Sequence, residues 1–361
     1  MANPDFVDVA VLKSWDFSAW RAEHPGQLPY RMDRLEKLGY RLHWTDRLCQ
    51  NTWQRSRSAS ILRRAESWSA PFAQTALMAR TIRSCSATMA MFESEANSLA
   101  FARNLTAASR RPPFLVISCW LAHILSTSST LRRRGYQWAY RSVDRLYYFS
   151  KNQGEILHEA LRLPAERLRY LPFGIDSETF VPSAEPDGGY VLAVGRDRGR
   201  DWRVFFEAVD GLDLPVTVCS RRSDIAGLKA PRNVEVVGYV DRETYRRLLG
   251  RACVVAVVTR PVSYPSGQSV LLEAMAMARA VVVTATPAIE DYIRDGVDCL
   301  AVPAGDPWAV RDRIGEAAAD PELRSRLGAA ARRVVEERYN SDEMWDVVAS
   351  DLEELGVSPQ R

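Results

Sequence analysis

The fold class is decided by one stretch in the second half of the chain, ACVVAVVTRPVSYPSGQSVLLEAMAMARAVVVTA (residues 252–285). Two nearly continuous runs of Val and Ala, at 252–258 and 280–285, enclose a loop and the helix-forming segment 269–277. Strands that are apolar at successive positions are typical of parallel sheets buried on both faces. This stretch therefore predicts a strand, a helix and a second parallel strand of an open α/β sheet.

The same alternation extends along the rest of the chain. Further strands are predicted at 7–12, 87–92, 113–120, 145–150, 190–195, 214–219, 234–240 and 299–303. Further helices are predicted at 131–143, 152–161, 202–209, 242–249, 288–294, 307–319, 322–339 and 341–355. A segment rich in Pro, Gly and acidic residues at 171–190 has the composition of a linker. We therefore expect one domain at 1–180, a second at 181–340, and a C-terminal helix and tail at 341–361.

Composition excludes several classes of protein. The 361 residues are 47% apolar and 26% charged, which is typical of a globular chain and not of a disordered or collagen-like one. Residues 1–180 contain 25 basic and 16 acidic residues, whereas residues 181–361 contain 23 and 29. The halves therefore differ in sign, +9 against −6, and a nucleic-acid partner is not expected because no basic groove with interleaved aromatic residues is visible.

Targeting and metal signals are also missing from the sequence. The longest apolar run, at 114–125, is shorter than a membrane span, and the first residues lack a secretory pattern, so we predict a cytoplasmic protein. The six cysteines form no CxxC pair and the four histidines have no metal-ligand spacing. We expect neither a bound metal nor a cofactor.

The loops that follow strands are where ligands bind in such domains. After the strand 190–195, Arg196, Arg198 and Arg200 are close together in the chain. Guanidinium groups form charge-assisted hydrogen bonds to phosphate oxygens, so this cluster suits a diphosphate. A solvated charged loop is an equally acceptable interpretation of the three residues taken alone.

A second loop leads into the predicted helix 269–277. Gly267, Gln268 and Ser269 present backbone N–H groups at the start of that helix, where unpaired donors and the helix dipole favour anions. Glu273 follows one turn later, and its carboxylate can accept hydrogen bonds from two ribose hydroxyl groups. It can equally be an ordinary helix residue.

Five blocks of the second half together resemble a known family. They are LPFGIDSETF (171–180), VLAVGR (191–196), NVEVVGYV (233–240), SGQSVLLEAMA (266–276) and TPAIEDYIRDGVDCLAVPAGDP (286–307). In this order they resemble the donor half of the GT-B glycosyltransferases of family 4, over about residues 165–355. The resemblance implies an α/β fold of two Rossmann-like domains that face each other across a cleft, with a C-terminal helix able to cross back to the first domain.

The resemblance also implies roles for individual residues. Arg196 and Arg200 correspond to the residues that bind the donor diphosphate, and Glu273 to the one that binds the ribose. The base falls on Gly238, Tyr239 and Val240. One position departs from the family, because the first acid of its E-x7-E motif is replaced by Pro265. That acid normally contacts the transferred sugar.

In the first half the resemblance is limited to a few positions. Gly26, in the loop PGQLPYR (25–31), corresponds to a glycine near the donor diphosphate, and His123 to a histidine near the sugar. Asp16 and Glu93 follow predicted strands and are candidates for contact with the acceptor. Retention of configuration is favoured and needs no side-chain base. If the reaction inverts, the candidate bases are Asp16, His24, Glu93 and His123.

These observations predict an enzyme that transfers a hexose from a nucleotide diphosphate sugar, expected to be UDP-linked, to a small polar acceptor. Arg-rich chains of this type resemble transferases of bacterial pathways for nucleoside or aminoglycoside antibiotics, and such a pathway is the expected setting. Two alternatives stay open. The basic segments 53–64 and 131–141 combine Arg with Trp, Tyr and Leu, as in helices at a membrane surface, and would suit a lipid-linked acceptor. Pro265 would suit a protein that binds nucleotide sugars without catalysis.

Overall fold

The computed structural model describes residues 6–12, 28–44, 81–105, 111–238 and 240–359. The chain divides into two compact units, Met1–Leu171 with Met344–Arg361, and Pro172–Glu343. Each unit contains one parallel sheet of six strands with helices, which confirms the predicted α/β class. None of the described helices has both the length and the apolar character that crossing a membrane requires.

The first unit is built on six parallel strands. They are β1 (Val7–Leu12), β2 (Tyr40–Trp44), β3 (Ala87–Met91), β4 (Phe114–Ser118), β5 (Arg145–Tyr148) and β6 (Leu168–Tyr170). Their order in the sheet is β2-β1-β3-β4-β5-β6. The helices are α1 (Asp33–Lys37), α2 (Glu93–Leu105), α3 (Leu121–Ser126), α4 (Thr130–Tyr140) and α5 (Lys151–Leu161). Every residue of β3 and β4 is buried, including the polar Thr88 and Ser118.

The second unit repeats this architecture. Its strands are β7 (Val191–Val194), β8 (Val216–Cys219), β9 (Val234–Val236), β10 (Val254–Val257), β11 (Ala280–Thr284) and β12 (Leu300–Val302). They lie in the order β12-β11-β10-β7-β8-β9. The helices are α6 (Trp202–Val209), α7 (Arg242–Arg251), α8 (Gln268–Ala276), α9 (Pro307–Ala319) and α10 (Pro321–Arg338). Aspartate side chains cap the N-termini of four of these helices, α6, α7, α9 and α10.

Two predicted elements differ from the structure. The helix expected at 288–294 is wrong, since only a short 3-10 turn forms at Glu290–Tyr292. The chain becomes extended at Ile293, and the backbone N–H of Arg294 donates to the Asp298 carboxylate at 2.7 Å, which starts a turn instead. The strand expected at 234–240 ends at Val236, because Gly238 takes a left-handed conformation with φ +74.

The division between the units falls earlier than the predicted boundary at residues 180 and 181. Ile175 donates its N–H to Tyr339 at 2.9 Å and accepts from Ser341 at 2.9 Å. Ile175 and Phe180 are both buried in a hydrophobic core of the second unit. These contacts assign residues 172–180 to the second unit, although their composition is that of a linker.

The last helix, α11 (Ser341–Glu354), begins in the second unit and continues in the first. The Asn340 side chain accepts the N–H of Glu343 at 2.9 Å and so caps the N-terminus of this helix. Trp345 is fully buried and donates from Nε1 to the Tyr30 carbonyl at 2.6 Å. The buried Asp351 accepts from Arg169 at 2.8 Å. Residues 344–361 are therefore part of the first unit, as expected for a C-terminal helix that crosses back.

Candidate functional site

Two loops of the second unit lie side by side at the carboxyl ends of β7 and β10, which are neighbouring strands. The N–H of Asp201, at the end of the loop that follows β7, donates to Val258 at 3.0 Å. The N–H of Arg260, in the loop that follows β10, donates to Gly199 at 2.7 Å. These paired loops hold residues 196–200 against the start of α8, as the position of ligand sites in doubly wound sheets predicts.

Arg200 is the buried cation of this region, with 5% of its surface exposed. Its side chain passes over two glycines, where a Cβ atom would lie 2.1 Å from Nε at Gly195 and 2.4 Å from Nη1 at Gly267. Nε is 3.4 Å from the Asp197 carboxylate, and Nη1 is buried without an acceptor in the described chain. Burial lowers the pKa of Arg200, and Asp197 opposes that shift. A buried guanidinium with unused donors is suited to bind an anion.

The start of α8 adds further donors beside this guanidinium. Gly267 occupies the N-cap position with φ +82 and no side-chain cap. Of the three predicted amides, that of Gln268 is already used, since it donates to Pro265 at 3.2 Å. The N–H groups of Gly267 and Ser269 have no acceptor within the described residues. The Gln268 side chain is 6% exposed, and its Nε2 is buried without an acceptor there.

Glu273 lies on α8, and its carboxylate interacts electrostatically with Arg200. The Tyr245 hydroxyl, on α7, donates a hydrogen bond to Glu273 Oε2. Burial raises the pKa of Glu273 to about 7, whereas the Tyr245 hydrogen bond and the charges of Arg242 and Arg200 act to lower it. Burial, together with the Glu273 charge, raises the pKa of Tyr245 well above its ordinary value. Tyr245 thus contacts Oε2, and no donor among the described residues contacts Oε1.

The other predicted donor-side residues surround this centre. Arg196 and Arg198 are exposed, in contrast to Arg200 on the same loop. Gly238 and Val240 follow β9 at the carboxyl edge of the sheet, and the backbone at Gly238 is open on its Cβ side. Tyr239 lies outside the described residues. The structure thus brings Arg200, the start of α8 and Glu273 together.

In the first unit, Glu93 is 3% exposed and its carboxylate is fully engaged. It accepts from Ser118 Oγ at 3.2 Å, from the N–H of Cys119 at 3.2 Å and from the N–H of Trp120 at 2.9 Å. Burial raises the pKa of Glu93, and these donors oppose the shift. The carboxylate holds the turn between β4 and α3. Its catalytic role stays a prediction.

Of the remaining candidates in the first unit, only His123 lies within the described residues. His123 lies within α3 and is half-buried, and its carbonyl accepts from Thr127 Oγ1 at 2.9 Å. Asp16, His24 and Gly26 lie outside the described residues. In the part of the chain that the structure describes, no three His, Cys, Asp or Glu side chains are grouped so as to hold a metal ion.

Two residues of the site were not identified from the sequence. Tyr245 was only one residue of a predicted helix, although it falls three positions after Arg242 on the same face. Asp197 stands between two arginines in RDRGRD (196–201) and looks like part of a solvated loop. In the structure Asp197 accepts from Ser266 Oγ at 2.6 Å, which ties the two loops together.

Part of the second unit matches a known protein family. Residues 192–320 match the family model described as "Glycosyl transferases group 1". This range lies within the second unit and contains Arg200, Gly267 and Glu273. No match was found among curated proteins by sequence.

Solved structures share the fold of the whole chain. Sucrose-phosphate synthase from Thermosynechococcus elongatus superimposes with a TM-score of 0.74 at 15% identity, covering 97% of this chain and 99% of that one. HepE from Anabaena, solved with UDP and glucose, superimposes with a TM-score of 0.69 at 13% sequence identity. The match covers 96% of this chain and 100% of HepE. A glycosyltransferase from Rickettsia africae superimposes with a TM-score of 0.68 at 14% sequence identity, and the match covers 97% of this chain and 99% of that one.

The chain therefore has the predicted GT-B fold. More particularly, its second unit carries the group 1 glycosyl transferase domain.

Proposed function

We propose that this protein transfers a hexose from a UDP-linked sugar to a small polar acceptor without a bound metal. The observation that carries the proposal is the buried Arg200, whose Nη1 has no acceptor among the described residues and lies at the start of α8. HepE, a protein of the same fold, was solved with UDP and with UDP-glucose. For this chain we assign the diphosphate to Arg200, Arg196 and the N–H groups of Gly267 and Ser269.

The chemistry requires that negative charge be stabilised on the leaving diphosphate. As the bond between the anomeric carbon and the phosphate oxygen breaks, charge develops next to Arg200 and the N-terminus of α8. A preorganised cation at low dielectric stabilises that charge more strongly than water does. The acceptor oxygen then forms the new bond to the anomeric carbon, and its proton passes to the leaving phosphate when configuration is retained.

Nucleoside recognition is assigned to Glu273 and to the backbone at Gly238 and Val240. Glu273 Oε1 accepts the ribose hydroxyl groups, while Tyr245 fixes the other oxygen. The base lies along the backbone after β9. The acceptor is assigned to the first unit, and we propose a polar molecule of the nucleoside or aminocyclitol kind.

Isothermal titration with UDP and GDP tests the donor assignment. We expect UDP to bind the full chain and Glu273→Ala to weaken that binding. Glu207→Ala, which removes an exposed carboxylate from α6, is the matched control and leaves the affinity unchanged. If neither nucleotide binds the wild-type protein, the proposed function is wrong.

Turnover tests the step from binding to catalysis. Release of UDP from UDP-hexoses in the presence of candidate acceptors separates an enzyme from a protein that only binds nucleotide sugars. The anomeric proton of the product, observed by NMR, reports retention or inversion. The measurement is repeated after dialysis against a chelator, and activity that persists supports a reaction without metal.

A lipid-linked acceptor is the second candidate, and one feature of α4 favours it. Leu131 has 81% of its surface exposed, and Arg132 and Arg134 beside it are exposed as well. An exposed Leu among arginines suits an anionic membrane surface. The other basic segment, 53–64, lies outside the described residues. Cosedimentation with anionic phospholipid vesicles, with neutral vesicles as control, decides whether this face binds lipid.

A further inference from the structure

The carboxylate of Asp197 lies against the turn that leads into α8. Its Oδ1 accepts from Ser266 Oγ at 2.6 Å and from the N–H of Gly199 at 2.8 Å, and the Tyr264 hydroxyl is 3.4 Å away. Ser266 and Tyr264 are the two neighbours of Pro265 in the chain. Asp197 therefore places a carboxylate at a turn whose central residue has no polar side chain.

The second carboxylate oxygen of Asp197 can accept further hydrogen bonds. Its Oδ2 is 3.4 Å from Arg200 Nε, and no other donor in the described residues contacts it. A carboxylate oxygen can accept about two hydrogen bonds. The side chain is 29% exposed, so Oδ2 can be reached from solvent. Asp197 is thus held by hydrogen bonds to Oδ1, while Oδ2 remains open to a further donor.

Charge decides what this open oxygen can bind. A carboxylate next to a diphosphate repels it, so Oδ2 is not placed there to bind phosphate. Neutral hydroxyl groups donate to a carboxylate, and they avoid that repulsion. In a nucleotide diphosphate sugar, the group attached directly to the diphosphate is a ring that carries several hydroxyl groups. Such a ring lies within one covalent linkage of the anion that Arg200 binds.

We propose that Asp197 binds hydroxyl groups of the transferred sugar and so determines which sugar the protein accepts. This inference rests on the proposed function, since it needs a diphosphate beside Arg200. Ser266, Gly199 and Tyr264 fix the carboxylate so that its open oxygen faces the donor. Pro265 has no polar side chain that could bind these hydroxyl groups, and Asp197 in the loop after β7 supplies the carboxylate.

A competing role for Asp197 is to position Arg200, and binding of UDP separates the two roles. UDP contains the diphosphate but not the sugar. If Asp197 acts through Arg200, its loss weakens UDP and UDP-sugars by the same factor. If Asp197 contacts the sugar, its loss weakens UDP-sugars selectively.

The test is titration of the full-length protein with UDP and with a panel of UDP-hexoses that includes UDP-glucose. For Asp197→Asn we expect UDP affinity to change less than about threefold and affinity for the preferred UDP-hexose to fall about tenfold or more, as for a lost hydrogen bond to a charged group. Asp213→Asn, which changes an exposed aspartate of the same unit, is the control and alters neither.

Ser266→Ala is a second variant that keeps the charge beside Arg200 and removes only one hydrogen bond to Oδ1. We expect a smaller loss in the same direction, about threefold or more for the UDP-hexose with UDP unchanged. This variant still tests the proposal if Asp197→Asn does not fold. Equal weakening of UDP and UDP-hexose, or no change in either, overturns the inference. Absence of any UDP binding by the wild-type protein instead overturns the proposed function.

Discussion

Two carboxylates with raised pKa values, Glu93 in the first unit and Glu273 in the second, differ in their hydrogen-bond partners. Glu93 accepts three hydrogen bonds from Ser118, Cys119 and Trp120, so its charge is compensated by the turn that it holds. Glu273 accepts one from Tyr245 and keeps its other oxygen available. Burial raises the pKa of both groups, and therefore the pKa alone does not distinguish them.

The number of unused donors and acceptors distinguishes these two environments. In the second unit, Arg200 Nη1 and Gln268 Nε2 are buried and have no acceptor among the described residues. Buried polar groups without partners are destabilising. We propose that a ligand completes the hydrogen bonds of these groups and that Glu273 takes part in binding it, whereas Glu93 stabilises the fold.

Arg200→Met gives the largest expected effect. Methionine keeps the apolar stem over Gly195 but removes the guanidinium, so we expect UDP affinity to fall about 100-fold, as for the loss of two charged hydrogen bonds. The free energy of unfolding should change by less than about 1 kcal/mol, because an apolar residue replaces a poorly paired buried ion. Titration calorimetry and chemical denaturation measure the two quantities.

Arg198→Met is the control for that change, since Arg198 is exposed on the same loop. It should alter neither affinity nor unfolding to a comparable degree. A large loss of stability in Arg200→Met with unchanged UDP affinity would place Arg200 in the same category as Glu93 and remove the contrast.

Glu93→Gln should show the opposite behaviour. The amide retains one acceptor oxygen but cannot satisfy all three donors, so we expect the free energy of unfolding to fall by about 1–3 kcal/mol. UDP affinity should stay unchanged, because the donor residues lie in the second unit. Denaturation with urea measures the first quantity, and calorimetry the second. If stability is unaffected while turnover is lost, Glu93 is the catalytic residue predicted from the sequence.

Much of this contrast was accessible from the sequence, but not all of it. The Val and Ala runs predicted the strands, and the strand–loop–helix order predicted that Arg200, Gly267 and Glu273 meet at one edge. The resemblance assigned the diphosphate to Arg196 and Arg200, but the sequence did not show that Arg200 is buried while Arg196 and Arg198 are exposed. The burial of Arg200 depends on the space left by Gly195 and Gly267, which lie 72 residues apart in the sequence.

Other errors have equally local causes. The segment at 288–294 has apolar residues at Ile289, Tyr292 and Ile293, a spacing that imitates a helix. The Asp298 carboxylate accepts the Arg294 N–H and stabilises a turn, an interaction that no periodicity reveals. Strand β6 was missed because three residues are too few to show alternation. The Tyr245 contact with Glu273 depends on how α7 packs against α8.

Glu273→Gln should weaken UDP about tenfold at high pH, where the wild-type carboxyl is ionised. Since the pKa of Glu273 in the folded protein is about 7, wild-type affinity should rise as pH increases through about 7, and that of the variant should not. The free energy of unfolding depends on pH in the opposite direction. A raised pKa means that the contribution of Glu273 is present below its ordinary value of 4.5 and is lost as pH rises through about 7.

The glutamine variant should therefore remove that part of the pH dependence of unfolding. Calorimetric titration with UDP between about pH 6 and pH 8, in buffers of matched ionic strength, measures the binding side. A wild-type affinity that is flat over this range contradicts an open, titrating Glu273.

Tyr245→Phe should give the smallest effect and the finest test of the contrast. The hydroxyl stabilises the ionised carboxylate of Glu273, so its removal raises the pKa of that group further. The pH at which UDP affinity rises should move upward, while affinity well above that pH changes only a few fold. Tyr190→Phe is the matched control, because the Tyr190 hydroxyl donates to the Leu248 carbonyl and not to a carboxylate. A uniform loss of affinity at every pH would mean that Tyr245 contacts the nucleotide directly and does not act through Glu273.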